Sequence, residues 1–470
     1  MRTLVAGLLV VMLAPATALA HGRPPFFGDV AFHPTDPGFI VVRATWGLAV
    51  TEDGGASWRW ICAAATGADP TREDPPIVVT PDGSILVGTF AGLARSTSDH
   101  CAFDRPEALD DHFVIDIAQE ASAPGTIWAI STSGAEPDEL FRSDDQGRTF
   151  ARVGAPVDDV LLERVLVAPS DPMRVYLSGA IPIMTIAYDG GAPDGGPTMT
   201  ERRGYLLRST DRGETFERIE VPLVEEERNV HLLAIDPTDP DRLLVRMTRR
   251  TVDVRPERVL LTEDAGDSWT EVASGQQISG AVFSADGSRA WITARVIDGL
   301  FRSDDGGRSF SQIQRMSMPC IGRRGDELFT CVDQLTDGFA LGRSTDGGDT
   351  LEPILHFEDI YEMVACDECT QVGHGCPEWF VDIAYDMRLD AGVGASVDGG
   401  ISGAPRDAGP IPSECGGMDA SVPPPMDAGV DAGPGEAPPG DCGCGVDGRP
   451  TSGLGLLIGL LALGLVRRRG

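Results

Sequence analysis

An aspartate recurs at Asp53, Asp145, Asp211, Asp264, Asp305 and Asp346, each two residues after a serine or threonine and two residues before a glycine. Carboxylates in such a series are the residue type that general acid–base chemistry and oxygen-ligated cations use. The spacing also has a simpler use. An aspartate beside a hydroxyl residue and a glycine can bond its own turn. Each of these carboxylates is therefore expected to serve a separate turn, with no catalytic or metal array and no cofactor. Other chemistry finds little footing. Two-carboxylate glycoside cleavage needs a pair about 5–10 Å apart, and acidic loop residues to supply one are plentiful, among them Glu225, Glu226, Glu227, Asp298 and Asp333. No phosphate-cradling glycine motif and no nucleophile elbow occurs.

The cysteines carry a different chemistry. Cys320 and Cys331 flank the turn around Gly325-Asp326 symmetrically, which places them opposite each other across a hairpin and predicts a disulfide. Cys62 and Cys101 are candidates for a link between the first two repeat units, although the strand pattern puts them near opposite rims. Cys366, Cys369 and Cys376 cluster late in the chain, with Cys415 as a possible fourth member. Their spacing with His374 is too short for a zinc knuckle, so disulfides are the expectation.

The elements that must position these residues follow from the same repeat. The full pattern, Ser/Thr-x-Asp-x-Gly-x-Ser/Thr-aromatic, occupies Thr51–Trp58, Ser143–Phe150, Ser209–Phe216, Thr262–Trp269 and Ser303–Phe310. Weaker copies lie at Ser96–Phe103, where Ser98 and His100 replace Asp and Gly, and at Ser344–Leu351, where Leu351 replaces the aromatic. A distorted turn is expected at the first of these. Before most copies stands an apolar strand, a turn such as His33-Pro34-Thr35-Asp36-Pro37 or Asp236-Pro237-Thr238-Asp239-Pro240, and a second strand. One repeat thus supplies four strands, A to D. A lone four-stranded sheet cannot bury both faces, but seven arranged radially can. The fold class is all-β, a seven-bladed β-propeller, with Val381–Tyr385 as a possible late strand closing the ring.

These boxes resemble Asp-box (BNR) repeats, which occur in sialidase-like, sortilin-like and photosystem-assembly-factor-like propellers; the resemblance covers most of residues 28 to 357. It implies that each box is the turn between strands C and D. The aspartate would bond amides of its own turn, and the aromatics Trp58, Phe150, Phe216, Trp269 and Phe310 would pack between sheets. It also implies that ligands meet the opposite rim, made by the B–C and D–A loops. Sialidase activity does not transfer with the box. The segment before Thr51 holds Arg43 but no Arg-Ile-Pro-type motif, and tyrosine occurs only at 176, 188, 205, 361 and 385.

Both ends carry addresses. Residues 1–20 read as an export signal: Arg2, the apolar run Leu4 to Leu13, and the small-x-small site Ala18-Leu19-Ala20. Residues 21–387 are the propeller. Residues 388–441 repeat Asp-Ala-Gly, include Pro423-Pro424-Pro425 and lack aromatics, so they read as a disordered stalk. Residues 442–470 hold Cys442-Gly443-Cys444-Gly445, a short apolar helix from Gly453 to Val466 and the cluster Arg467-Arg468-Arg469. This tail resembles the MYXO-CTERM sorting tag, which implies processing near Cys442 and retention at the cell surface. The net charge is −34 and lysine is absent, so nucleic acid is excluded as a partner on electrostatic grounds.

The expected function is that of an exported, cell-surface-anchored, monomeric module that binds a surface protein or glycan without catalysis. The alternatives are a secreted glycoside hydrolase, sialidase- or glucanase-like, and an envelope assembly factor. Trp46 and Phe90 in B–C loops, and Tyr188 and Asp189 in the long loop of the fourth unit, are the candidate ligand contacts.

Overall fold

The computed structural model describes residues 25–386, apart from 133–136, 182–183, 186–197, 200–202 and 250–254. The expectations for the leader, the stalk, Cys442 and the terminal helix, and those for Tyr188 and Asp189, lie outside the described residues. Seven four-stranded antiparallel sheets follow one another, over residues 27–62, 77–104, 113–157, 161–221, 229–275, 278–314 and 320–355. They are the blades of an all-β propeller. Each blade is made of strands taken in sequence order, and a two-stranded excursion, Met184–Thr185 with Thr198–Met199, interrupts the fourth.

Burial explains why these residues form these strands. Strands B and C of blade 1, Ile40–Ala44 and Gly47–Thr51, are buried at every position. Such strands are covered on both faces by neighbouring blades, so they read as continuous apolar runs. Away from blade 1 the outer strands are less covered. Strand D of blade 5, Thr270–Gly275, and of blade 6, Ser311–Gln314, are largely exposed. The aromatics Trp58 and Phe150 of the boxes are buried in the cores between blades.

The chain after blade 7 corrects the expected closing strand. Val381–Tyr385 belong to the helix Gln371–Asp386. Val372, Cys376, Trp379 and Ile383 are its buried positions, at the three- and four-residue spacing of one helix face. The strand that follows blade 7 is Ile360–Met363, and it pairs in parallel with the outermost strand of blade 1, Trp58–Cys62.

The disulfides also differ from part of the expectation. Cys320–Cys331 forms across its hairpin, where the two residues are direct partners in the ladder. Cys62 and Cys101 do not join each other. Cys62 ends a strand D at the D–A rim and Cys101 sits in a C–D turn, so they face opposite rims. They pair instead with Cys376 and Cys366 of the final segment. Cys369 is disulfide-bonded as well.

Candidate functional site

Each box carries its aspartate into its own turn. Asp305 accepts from the Ser309 amide at 2.9 Å, the Arg308 amide at 3.1 Å and the hydroxyls of Ser309 and Ser303 at 2.6 and 2.7 Å. Asp53, Asp145, Asp211, Asp264 and Asp346 repeat this arrangement, each on its own blade. Hydroxyl donation from Ser309, Thr215 and Thr350, with amide donation behind it, holds Asp305, Asp211 and Asp346 at about 2. Such carboxylates are ionised and saturated, which suits them to fixing a turn and not to moving protons. In the second box the role shifts by one residue. Asp99 accepts from the Thr97 hydroxyl at 2.6 Å and the Cys101 amide at 3.1 Å, while His100 takes a positive φ of 59°.

The opposite rim is built by the B–C and D–A loops. Trp46 lies there in sequence but not at the surface. It is 1% exposed, with its ring 5.7 Å from those of Phe27 and Phe357. This corrects its reading as a ligand contact: the segment after blade 7 brings Phe357 over it. Phe90 is 43% exposed and rests 5.4 Å from the Phe113 ring. The loop acids are mostly occupied. Glu227 is buried and receives both Arg258 donors at 2.8 Å and the Val224 amide at 2.8 Å. Glu226 pairs with Arg255 at 2.9 Å, Asp333 caps the short helix Gln334–Asp337 through the Leu335 amide, and Asp298 accepts from the Gln276 amide.

One cluster has no motif to announce it. Strand A residues of adjacent blades meet at the centre of the ring. Asp116 of blade 3 accepts from Arg164 of blade 4 at 3.0 Å and from the Val165 amide at 2.8 Å. Glu163 accepts from Asn229 and lies 3.3 Å from His231, both on blade 5. Behind them, within blade 5, Arg246 of strand B approaches Glu257 of strand C at 3.9 Å. Burial raises Asp116 to about 6, against the pull of Arg164, and Asp29 of blade 1 adds to the rise. Burial also raises Glu163. Burial, then the guanidiniums of Arg246 and Arg164, pushes the His231 imidazole well below its ordinary range, so it is neutral. The local cause of the placement is a β-bulge, which adds one residue to strand A and re-aims its side chains. Bulges of this kind occur at the A–B ladders of blades 1, 3, 4, 5 and 6. Chemically, the cluster can hold a proton on Asp116 near pH 6, with the Arg164 guanidinium bonded beside it.

Comparison with known proteins adds the following. The family model for Sortilin (neurotensin receptor 3) matches residues 138–295. None of the curated proteins matches the chain. The solved structure of an ancestral GH74 enzyme is 15% identical over 71% of this chain and 46% of its own, with a TM-score of 0.53. That of a Niastella koreensis GH74 enzyme is 14% identical over 70% of this chain and 58% of its own, with a TM-score of 0.44. YCF48 bound to D1 peptide is 14% identical over 67% of this chain and 92% of its own, with a TM-score of 0.41. The chain thus spans about half the length of the GH74 enzymes it matches. At these identities the likeness is one of fold.

Proposed function

We propose that this chain is an exported propeller, displayed at the cell surface, that binds a partner at its B–C and D–A rim without catalysis, and that the partner is a protein. The observation that carries the reading is where apolar surface is left. Among the described residues, eight large apolar side chains are exposed. Phe90, Leu161, Val224, Val296, Ile297 and Leu335 stand on the B–C and D–A rim, from blades 2 to 7. Met173 and Tyr361 lie elsewhere. Six of the eight share one rim, the bias that an interaction surface there would leave. Five of the six rim residues are aliphatic, which suits a protein better than a sugar, whose faces favour aromatic stacking.

The test is site-specific photo-crosslinking in intact cells. A crosslinker at Ile297 or Leu335 is expected to trap one protein, and one at Met173 on the opposite rim to trap none. Equal trapping at both rims sinks the reading. A glycoside hydrolase is the second reading, favoured by one observation: Asp116 holds a proton up to about pH 6 within the field of Asp29. Cleavage of any glycan by the purified chain, lost in Asp116→Asn, would establish it in place of the first.

A further inference from the structure

Among the described residues, no strand is shared across the seam of the ring. Blade 1 is complete from residues 27–62 and blade 7 from residues 320–355, so no backbone ladder joins them. The seam rests on side chains. Phe32 of blade 1 stacks 4.8 Å from Phe329 of blade 7, Arg324 lies over both rings, and the Trp58 indole donates to the Ile354 carbonyl at 3.0 Å.

Blade 2, next to this seam, is the thinnest of the seven. Its first strand has three residues, Ile77–Val79, and its last has two, Phe103–Asp104. It also carries the box that lacks the usual Asp and Gly.

The segment after blade 7 reaches both weak places. Ile360–Met363 extends blade 1 by one parallel strand, with Arg59 to Glu362 at 3.1 Å and the Val364 amide to the Trp60 carbonyl at 3.0 Å. Cys366 is then bonded to Cys101 in the distorted turn of blade 2. Next, the Gln371 side-chain amide pairs with Phe103 as a neighbouring strand would. It accepts from the Phe103 amide at 2.5 Å and donates to the Phe103 carbonyl at 3.3 Å. The Val372 amide adds a bond to the Cys101 carbonyl at 3.0 Å. Finally Cys376 is bonded to Cys62 at the far end of the outer strand of blade 1, and Phe380 packs on Trp60.

We infer that residues 360–386 are a ring-closing clasp. They bolt blade 7 to blades 1 and 2 covalently, and they supply the outer edge that blade 2 lacks. Both bolts enclose the ring, since the cystines span 314 and 265 residues.

Hydrogen exchange on the full chain tests this. The comparison is wild type, Cys62→Ser with Cys376→Ser, Cys101→Ser with Cys366→Ser, and all four together. With all four replaced, amides of Ile360–Met363, Phe103–Asp104 and the seam strands Phe27–Phe32 and Cys320–Arg324 are expected to lose at least a hundredfold of protection. Blades 4 and 5 should keep theirs. If the seam strands stay as protected as in wild type, the segment is a passenger and the inference fails. It fails equally if all seven blades lose protection together. Should the fourfold variant not fold, the Cys320→Ser/Cys331→Ser chain is reduced with a phosphine while folded. The same strands are then followed over the first minutes, with the same two outcomes deciding.

Discussion

Replacing Gly266 by alanine tests whether the glycine of its box is there for the neighbouring blade and not for the turn alone. Ala265 and Gly266 both have positive φ, 59° and 106°. A native alanine at 265 shows that the turn accepts a Cβ there. At 266 a Cβ would stand 3.1 Å from Leu206 Cδ2 and 3.2 Å from Ile219 Cδ1, both of blade 4. Gly213 is caged likewise, 3.1 Å from Trp128 Cζ3, and Gly348 would meet Leu300 Cδ2 at 2.6 Å. The backbone penalty for a non-glycine residue of left-handed conformation is about 1–2 kcal/mol. Overpacking a filled core adds about 1–3 kcal/mol. Gly266→Ala should therefore cost about 2–5 kcal/mol. The neighbouring change, Ala265→Gly, relieves the backbone but uncovers the space of a buried methyl; these are opposing effects of about 1 kcal/mol each, so the net is near zero. Urea denaturation at pH 7 reads both, with an unchanged slope confirming that the loss is native-state stability. A cost at 266 no larger than the backbone share of about 1–2 kcal/mol, or equal costs at the two sites, refutes the inter-blade argument.

Three further outcomes are expected. The two clasp cystines should be non-additive: with one in place, the other closes only the difference between 314 and 265 residues, which is 49. Chain entropy then gives about 4 kcal/mol for removing either and about 10 for removing both, an excess of about 2 over the sum, measured by denaturant titration; strict additivity refutes ring closure as the source. Asp305 has a folded pKa of about 2, below its unfolded value, so its contribution is present above about pH 4 and is lost as pH falls through about 2; thermal melts of Asp305→Ala should lie below wild type at pH 7 and converge with it near pH 2. Asp116 runs the other way. Its folded pKa of about 6 means that the stability from its proton is full below its unfolded value and lost as pH rises through 6. Wild type should therefore gain stability between pH 7 and pH 5 relative to Asp116→Asn, and parallel profiles would exclude a buried proton.

The boxes could be read from sequence because their physics is local. The donors that saturate Asp305 lie within six residues of it, on Ser303, Arg308 and Ser309, so no tertiary knowledge is needed to assign them. The same holds for Cys320 and Cys331, which are 11 residues apart in one hairpin. What escaped was decided elsewhere in the chain. Trp46 sits in a turn that is open in a lone blade, and Phe357, about 310 residues on in the chain, closes it from beside blade 7. The final helix contains Gly373, Gly375 and Pro377, all poor helix formers. Its apolar face at Val372, Cys376, Trp379 and Ile383 was the stronger signal, because burial against blade 1 outweighs propensity. The central cluster was hidden for a further reason. Alternation assigns inside and outside along a strand only while the register is unbroken. A bulge at Glu163 breaks it, placing both Glu163 and Arg164 among polar and charged residues of neighbouring blades. In a fold built by repetition, the repeat specifies what each copy does for itself. The chemistry of the axis is set by the residues that the repeat leaves unspecified, and only the closed ring brings them together.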